Sequence, residues 1–220
     1  MSNPFHDLAT TWWNLNGPFK TLHHINPCRL DYIQSQVELI GKKVLDLGCG
    51  GGILAEALAK ASANVSGIDI EASLIDVARS HAALSGLAID YQVMNVADLK
   101  QQYDVIVCME MLEHVDCPLA IVQSIAACLK PGGLVFLSTI NRSLKAYAQL
   151  IVMGEYVLKL LPRQTHDYQK FITPGELDSY LRESGLSLKD LKGMSYNPFS
   201  KQAKLVSNVD VNYLLVAQKN

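Results

Sequence analysis

The stretch Lys43-Val44-Leu45-Asp46-Leu47-Gly48-Cys49-Gly50-Gly51-Gly52 constrains the fold more than any other part of this chain. It reads as a buried strand running straight into a glycine-rich turn, with a helix starting near Ile53. Glycines carry no Cβ, so the backbone can turn sharply there and a ligand can approach it closely. The helix that follows points its unpaired N–H groups at the same spot. A nucleotide-like cofactor is the first ligand this arrangement suggests.

Apolar runs alternate with helical patterns along most of the remaining chain, the pattern of an α/β domain with a mainly parallel sheet. Strands are expected at 43–47, 64–69, 89–94, 103–109 and 133–139, with helices at 53–61, 72–84 and 118–129. Pro131-Gly132-Gly133 is expected as a turn that stops one helix and starts the next strand. Beyond residue 140 a long helical stretch (143–161) and a helix at 174–184 precede two late strands, 187–196 and 210–217. The expectation is one domain, residues 1–220, with a seven-stranded, mostly parallel sheet and helices on both faces. The antiparallel C-terminal strand is placed at the sheet edge, residues 1–40 as an N-terminal helical lid and 143–170 as a helical insertion.

The net charge is -2 and no long basic run is present, which excludes nucleic acid as the main partner. Five cysteines without a C-x-x-C pair read as buried free thiols rather than disulfides or a zinc site. No secretory signal is visible at the N-terminus, and no apolar run reaches the roughly eighteen residues of a membrane span. A cytoplasmic location is expected.

Gly48-x-Gly50-x-Gly52 differs from the dinucleotide fingerprint, whose last two glycines are three apart. Asp46 sits two residues before Gly48, where it would repel a pyrophosphate and attract a cation. S-adenosylmethionine carries a sulfonium and an ammonium and no phosphate, so the charge favours that cofactor over NAD. Asp69 ends the second strand, about twenty residues on, where an acidic side chain accepts hydrogen bonds from both ribose hydroxyls. Its alternative role is the cap of the next helix, with Ser73 as a rival. Asp98 is a candidate for the adenine amino group or a solvated carboxylate. The fourth strand leads into Cys108-Met109-Glu110-Met111-Leu112-Glu113-His114, and ligands in open α/β sheets bind beyond the carboxyl ends of strands. Met109 is therefore expected against the cofactor.

Beyond the glycine turn, Asp69 and Pro131-Gly132-Gly133, a set of motifs spans residues 12 to 213. They are Trp12-Trp13-Asn14-Leu15, Leu22-His23-His24-Ile25-Asn26-Pro27-Cys28-Arg29-Leu30, the 108–114 run, Ser138-Thr139-Ile140-Asn141-Arg142, Gly154-Glu155-Tyr156, Thr165-His166-Asp167 and Val209-Asp210-Val211-Asn212-Tyr213. With these the chain resembles the ubiquinone biosynthesis O-methyltransferase family, which has the Rossmann-like class I methyltransferase fold. The resemblance implies cofactor contacts at Arg29, Gly48, Asp69 and Met109, with Gly50 in the same turn. It implies O-methylation of polyprenylated phenol and quinol intermediates, 2-polyprenyl-6-hydroxyphenol and 3-demethylubiquinol. It also implies a divalent metal at Glu110, Glu113 and His114. Other ubiquinone-synthesis enzymes are candidate partners. The segment 95–102 is short for the family, which bears on Asp98.

Methyl transfer from a sulfonium is an in-line displacement, and positioning alone supplies up to roughly 7–11 kcal/mol. A phenol has a pKa of about 10, so its proton must be taken or weakened. Glu110, Glu113 and His114 are spaced i, i+3 and i+4 and share a face if helical. They would either hold Mg²⁺ or tune His114 as a general base. Arg29 is a candidate fork for the cofactor carboxylate. His23, His24 and His166 read as structural or solvent-facing histidines. On a wheel of residues 143–163, Lys145, Gln149, Glu155, Lys159 and Arg163 fall within about 120°. The rest is apolar, wider than one sheet face needs. That stretch is expected either as a helix buried on two sides or as a contact with the membrane surface. A soluble catechol, a menaquinone-type ring and a lipid-binding scaffold role are the alternatives to a polyprenylated acceptor.

Overall fold

The computed structural model describes residues 11–146 and 168–220. Helix α1 (Lys20–Gln36) leads into β1 (Lys43–Leu47), α2 (Ile53–Lys60), β2 (Asn64–Asp69), α3 (Ala72–Leu84), β3 (Asp90–Val93) and β4 (Tyr103–Met109). Then follow α4 (Pro118–Cys128), β5 (Leu129–Ile140), α5 (Pro174–Glu183), β6 (Leu186–Asn197), β7 (Gln202–Val206) and β8 (Asn212–Lys219). The expected insertion 143–170 lies mostly outside the described residues. Only a helical turn at Leu144–Ala146 and a 3₁₀ turn at Tyr168–Lys170 belong to them.

Successive side chains of a strand point to opposite faces, and the central strands are apolar at nearly every position, so both faces are covered. Val44, Val65, Val105, Val107, Phe136, Leu214 and Val216 face α1, α2 and α3. Leu45, Ile68, Ile106, Cys108, Leu137 and Leu215 face α4 and α5. Local sequence sets the helix starts. Glu71 caps α3 by accepting from the Ser73 amide at 3.5 Å, with the Ser73 hydroxyl donating to the same oxygen at 2.9 Å, so neither Asp69 nor Ser73 is the cap. Thr173 and Glu176 close a capping box on α5 with Pro174 in its first turn.

The strand order is β3-β2-β1-β4-β5-β8-β6-β7. β1 to β5 are mutually parallel, and β8 runs antiparallel between β5 and β6. The sheet thus has eight strands rather than the expected seven, and the C-terminal strand is interior rather than at the edge. β7 is the added strand and forms that edge by pairing with β6. Pro131-Gly132-Gly133 is a bulge within β5 rather than a turn before it. The register against β4 jumps from Tyr103–Leu129 to Val105–Leu134 across it, and Gly132 has φ +74°. Strand order reverses between β1 and β4, which opens a crevice at their carboxyl ends.

Four of the five cysteines are free and buried; Cys117 is free and exposed, the exception to the expected burial. Among the described residues no helix is long and apolar enough to cross a membrane.

Candidate active site

The glycine turn lies at the carboxyl end of β1. Gly48 and Gly50 hold φ of +70° and +52°, in the left-handed region that suits glycine. The Gly48 and Cys49 amides donate to the Ile68 carbonyl at 2.9 and 3.1 Å, tying the turn to β2. The Gly50 amide donates to Asp69 Oδ2 and the Glu71 amide to Asp69 Oδ1, each at 2.9 Å. Burial raises the Asp69 pKa, while these backbone N–H groups oppose the rise. The carboxylate expected to meet a ribose is therefore at the turn, held from two sides.

Residues from the N-terminal segment pack on the turn. The Trp13 indole N–H donates to the Gly51 carbonyl at 2.8 Å, and its ring stacks on His81 at 3.4 Å between centroids. His81 Nδ1 lies 2.5 Å from Oε1 of the buried Glu56. His23 Nε2 bonds to the Trp12 carbonyl at 2.9 Å, and His24 Nδ1 to the Tyr196 hydroxyl at 2.8 Å, so both histidines have structural partners. A Cβ at Gly51 would fall 2.3 Å from Trp12 Cδ1. Gly51→Ala is expected to push the Trp12 ring off the turn and red-shift the tryptophan emission. An unchanged spectrum would contradict this packing.

Behind the turn, Arg29 on α1 is 5% exposed. Its Nη2 lies 2.7 Å from Glu110 Oε1, too misaligned for a hydrogen bond, and its Nε has no acceptor among the described residues. Asp46 is buried on β1 with Oδ2 unpartnered. Burial pushes its pKa up to about 7, against the pull of Arg29 and with a further push from Asp69. A buried cation and a buried anion with unmet hydrogen-bonding capacity therefore face one glycine cradle. That charge set fits an amino-acid zwitterion with an adjoining cation.

The acceptor trio is dispersed. Glu110 leaves β4 with φ +54°, and its amide donates to the Ser138 carbonyl at 2.9 Å. Its Oε1 accepts from Asn212 Nδ2 at 3.1 Å in addition to the Arg29 contact. Glu113 turns inward, where Oε2 accepts from the Thr139 hydroxyl at 2.8 Å and Oε1 has no partner. Burial, reinforced by Glu110, pushes its pKa up to about 8, while Thr139 and Arg29 oppose the rise. His114 is exposed. The expected shared face requires an α-helix, but Leu112–His114 is a 3₁₀ turn that follows a left-handed residue. Among the described residues no group of three His, Cys, Asp or Glu side chains is placed to hold a metal ion. As placed here the Glu110, Glu113 and His114 side chains do not converge on one metal position, although Glu110 lies near enough to Glu113 to raise its pKa.

Met109 ends β4, half-buried against the Val44 face of the core. Asp98 is exposed in the turn Val96–Asp98, and His166 lies outside the described residues. Sequence reasoning placed Met111 at the strand end with Met109 but gave Ser138, Thr139 and Asn212 no role of their own. A Cβ at Gly48 would sit 2.8 Å from Met111 Cγ, and the other three hold Glu110 and Glu113. Adjacent hydroxyls at the end of the apolar run Leu134-Val135-Phe136-Leu137 were the available signal for Ser138 and Thr139.

Residues 29–191 match the family model described as a methyltransferase domain. The ubiquinone biosynthesis O-methyltransferase of Stutzerimonas stutzeri is 50% identical over 219 residues, covering 98% of this chain and 94% of the relative. That of Actinobacillus pleuropneumoniae is 52% identical, covering 96% and 94%. Among solved structures, the magnesium protoporphyrin IX methyltransferase of Synechocystis with bound SAH matches with a TM-score of 0.70 at 20% identity, covering 92% of this chain and 85% of that one. This last likeness concerns the fold alone.

Proposed function

The chain belongs to the ubiquinone biosynthesis O-methyltransferase family, and from that premise we propose that it methylates phenolic hydroxyls of ubiquinone precursors with S-adenosylmethionine. The acceptors are 2-polyprenyl-6-hydroxyphenol and 3-demethylubiquinol. The observation that carries the cofactor reading is that Arg29 and Asp46 are both buried and close enough for the Arg29 charge to act on Asp46, with Asp69 holding the glycine turn at the end of β2. Arg29 suits the cofactor carboxylate, Asp46 its cationic portion, Asp69 the ribose hydroxyls, and Gly48, Gly50 and Met109 the walls of the cleft.

When bound, S-adenosylmethionine supplies an electrophilic methyl on a sulfonium. Glu113 acts on the acceptor: its unpartnered Oε1 takes the hydroxyl proton while Thr139 fixes Oε2. A carboxylate with a pKa of about 8 is better matched to a phenol than an ordinary one. His114, exposed at the rim, is the group proposed to hand the proton on to water. Glu110, whose Oε1 accepts from Asn212 Nδ2, orients the acceptor beside it. Because Glu113 must be ionised to act, turnover rises with pH through about 8. Assaying a short-chain demethylubiquinol against a soluble catechol tests the acceptor. The quinol is expected to give the higher kcat/KM, and a preference for catechol would overturn this choice.

A polyprenyl tail stays in lipid, so the enzyme comes to the membrane surface. Leu15, Ile70, Leu144 and Phe199 are exposed. Ile70 directly follows β2, Leu144 follows β5, and Phe199 lies between β6 and β7, all at the edge where the crevice opens. These residues support contact through the rim, beside the proposed contact of 143–163. Lys145 of that stretch is ion-paired with Asp210 at 3.2 Å; the rest, save Leu144 and its neighbours, lies outside the described residues. The double variant Leu144→Ser, Phe199→Ser is expected to lose several-fold in flotation with anionic liposomes. Unchanged flotation would remove the rim from the contact.

A further inference from the structure

Arg29 faces two claims on one edge of its guanidinium. Nε and Nη2 form the edge that a carboxylate can grip with two parallel hydrogen bonds. Both atoms lack a hydrogen-bond partner among the described residues, yet Glu110 Oε1 stands 2.7 Å from Nη2 and blocks the fork. The Glu110 contact is a single, misaligned ion pair. A second carboxylate seated squarely across Nε and Nη2 would make better bonds but must move Glu110 aside.

Glu110 is built to be moved. It sits at the strand end in a left-handed conformation that non-glycine residues rarely adopt. Its backbone amide is anchored to Ser138, so the residue stays in place while the side chain swings. Asn212 Nδ2, already 3.1 Å from Oε1, remains as a donor for the displaced carboxylate. Asp46 and Glu113 lie within the reach of the same guanidinium charge. A single buried cation is therefore balanced against several carboxylates, and a further anion on Arg29 changes the standing of all of them.

We infer that Glu110 competes with the cofactor carboxylate for Arg29, so that cofactor binding hands Glu110 over to the acceptor hydroxyl. The inference rests on the cofactor reading proposed above and adds an order to it. Cofactor enters first, and the acceptor side of the site is completed by the carboxylate it displaces.

Calorimetry separates this exchange from a mere structural role. The ligands are S-adenosylhomocysteine, which carries the α-carboxylate, and 5′-methylthioadenosine, which does not. Glu110→Gln removes the competing charge and is expected to bind S-adenosylhomocysteine about tenfold tighter, a change of about 1.4 kcal/mol. Glu110→Asp keeps the charge but shortens its reach, and is expected to tighten binding in the same direction by less. It carries the test if the glutamine variant does not fold. Affinity for 5′-methylthioadenosine is expected to stay unchanged in both. Weaker or unchanged S-adenosylhomocysteine binding in the variants would overturn the exchange, as would equal tightening of both ligands. Failure of both ligands to bind the unaltered protein would instead overturn the cofactor reading, and the exchange with it.

Discussion

Asp69→Ala is expected to weaken S-adenosylmethionine binding on the order of a hundredfold or more. Two hydrogen bonds from ribose hydroxyls to a charged acceptor are each worth about 1.5–3 kcal/mol, and each 1.4 kcal/mol is a factor of ten. The substitution also removes the acceptor of the Gly50 and Glu71 amides, so the turn loses its anchor to the end of β2. Asp69→Asn separates the two effects. Its one carbonyl oxygen keeps an acceptor for one amide while the charge is gone, so it is expected to hold the fold better than alanine does. Titration calorimetry with a parallel thermal melt measures both. Affinity within about threefold of the unaltered protein would contradict the place given to Asp69.

The second large effect is at Glu113, where activity and stability are expected to move in opposite directions. Glu113→Gln keeps an oxygen for Thr139 but cannot take a proton, and turnover is expected to fall by about 10²–10⁴. The pKa of Glu113 is raised in the folded protein, so folding binds its proton more tightly than the unfolded chain does. That contribution is fully present below the unfolded value and is lost as pH climbs to about 8. Asp46 acts with the same sign, up to about 7. Stability should therefore decline from mildly acid to pH 8, and Glu113→Gln should flatten the decline. At alkaline pH the variant is expected to melt higher, by about 2–4 °C for each kcal/mol of relieved charge burial. Full turnover in the variant, or a stability gain confined to acid pH, would contradict the role of Glu113.

Much of the fold was legible because its centre is buried on both sides. β1, β2 and β4 begin and end where their apolar runs do, since parallel strands under two helical layers leave little room for polar residues. α3 also falls where it was expected, although its cap is Glu71 rather than Asp69 or Ser73. β7 was missed because, at the sheet edge, it has no fully buried residue and so leaves no hydrophobic periodicity. The position of β8 depends on pairing with β5 and β6, far away in sequence, and no local pattern encodes that.

The site divides along the same line. The glycine turn and Asp69 are local to a strand end, and the structure joins them by a hydrogen bond. Glu110, Glu113 and His114 were expected to share a face only if helically spaced. A left-handed residue and a 3₁₀ turn break that spacing, and Arg29 and Thr139 draw the two carboxylates to different partners. Arg29 was read as a fork for the cofactor carboxylate or a surface salt bridge; it is buried instead, and its contact with Glu110 spans the sequence from α1 to β4 and had no local signal.

The most direct measurement is mass spectrometry of a polyprenylated 6-hydroxyphenol after incubation with the protein and S-adenosylmethionine bearing a trideuterated methyl group. One trideuteromethyl on a phenolic oxygen, with one S-adenosylhomocysteine formed for each, is the expected result, and it should be lost in Asp69→Ala and Glu113→Gln. A label on carbon, no label at all, or equal labelling by both variants would contradict it.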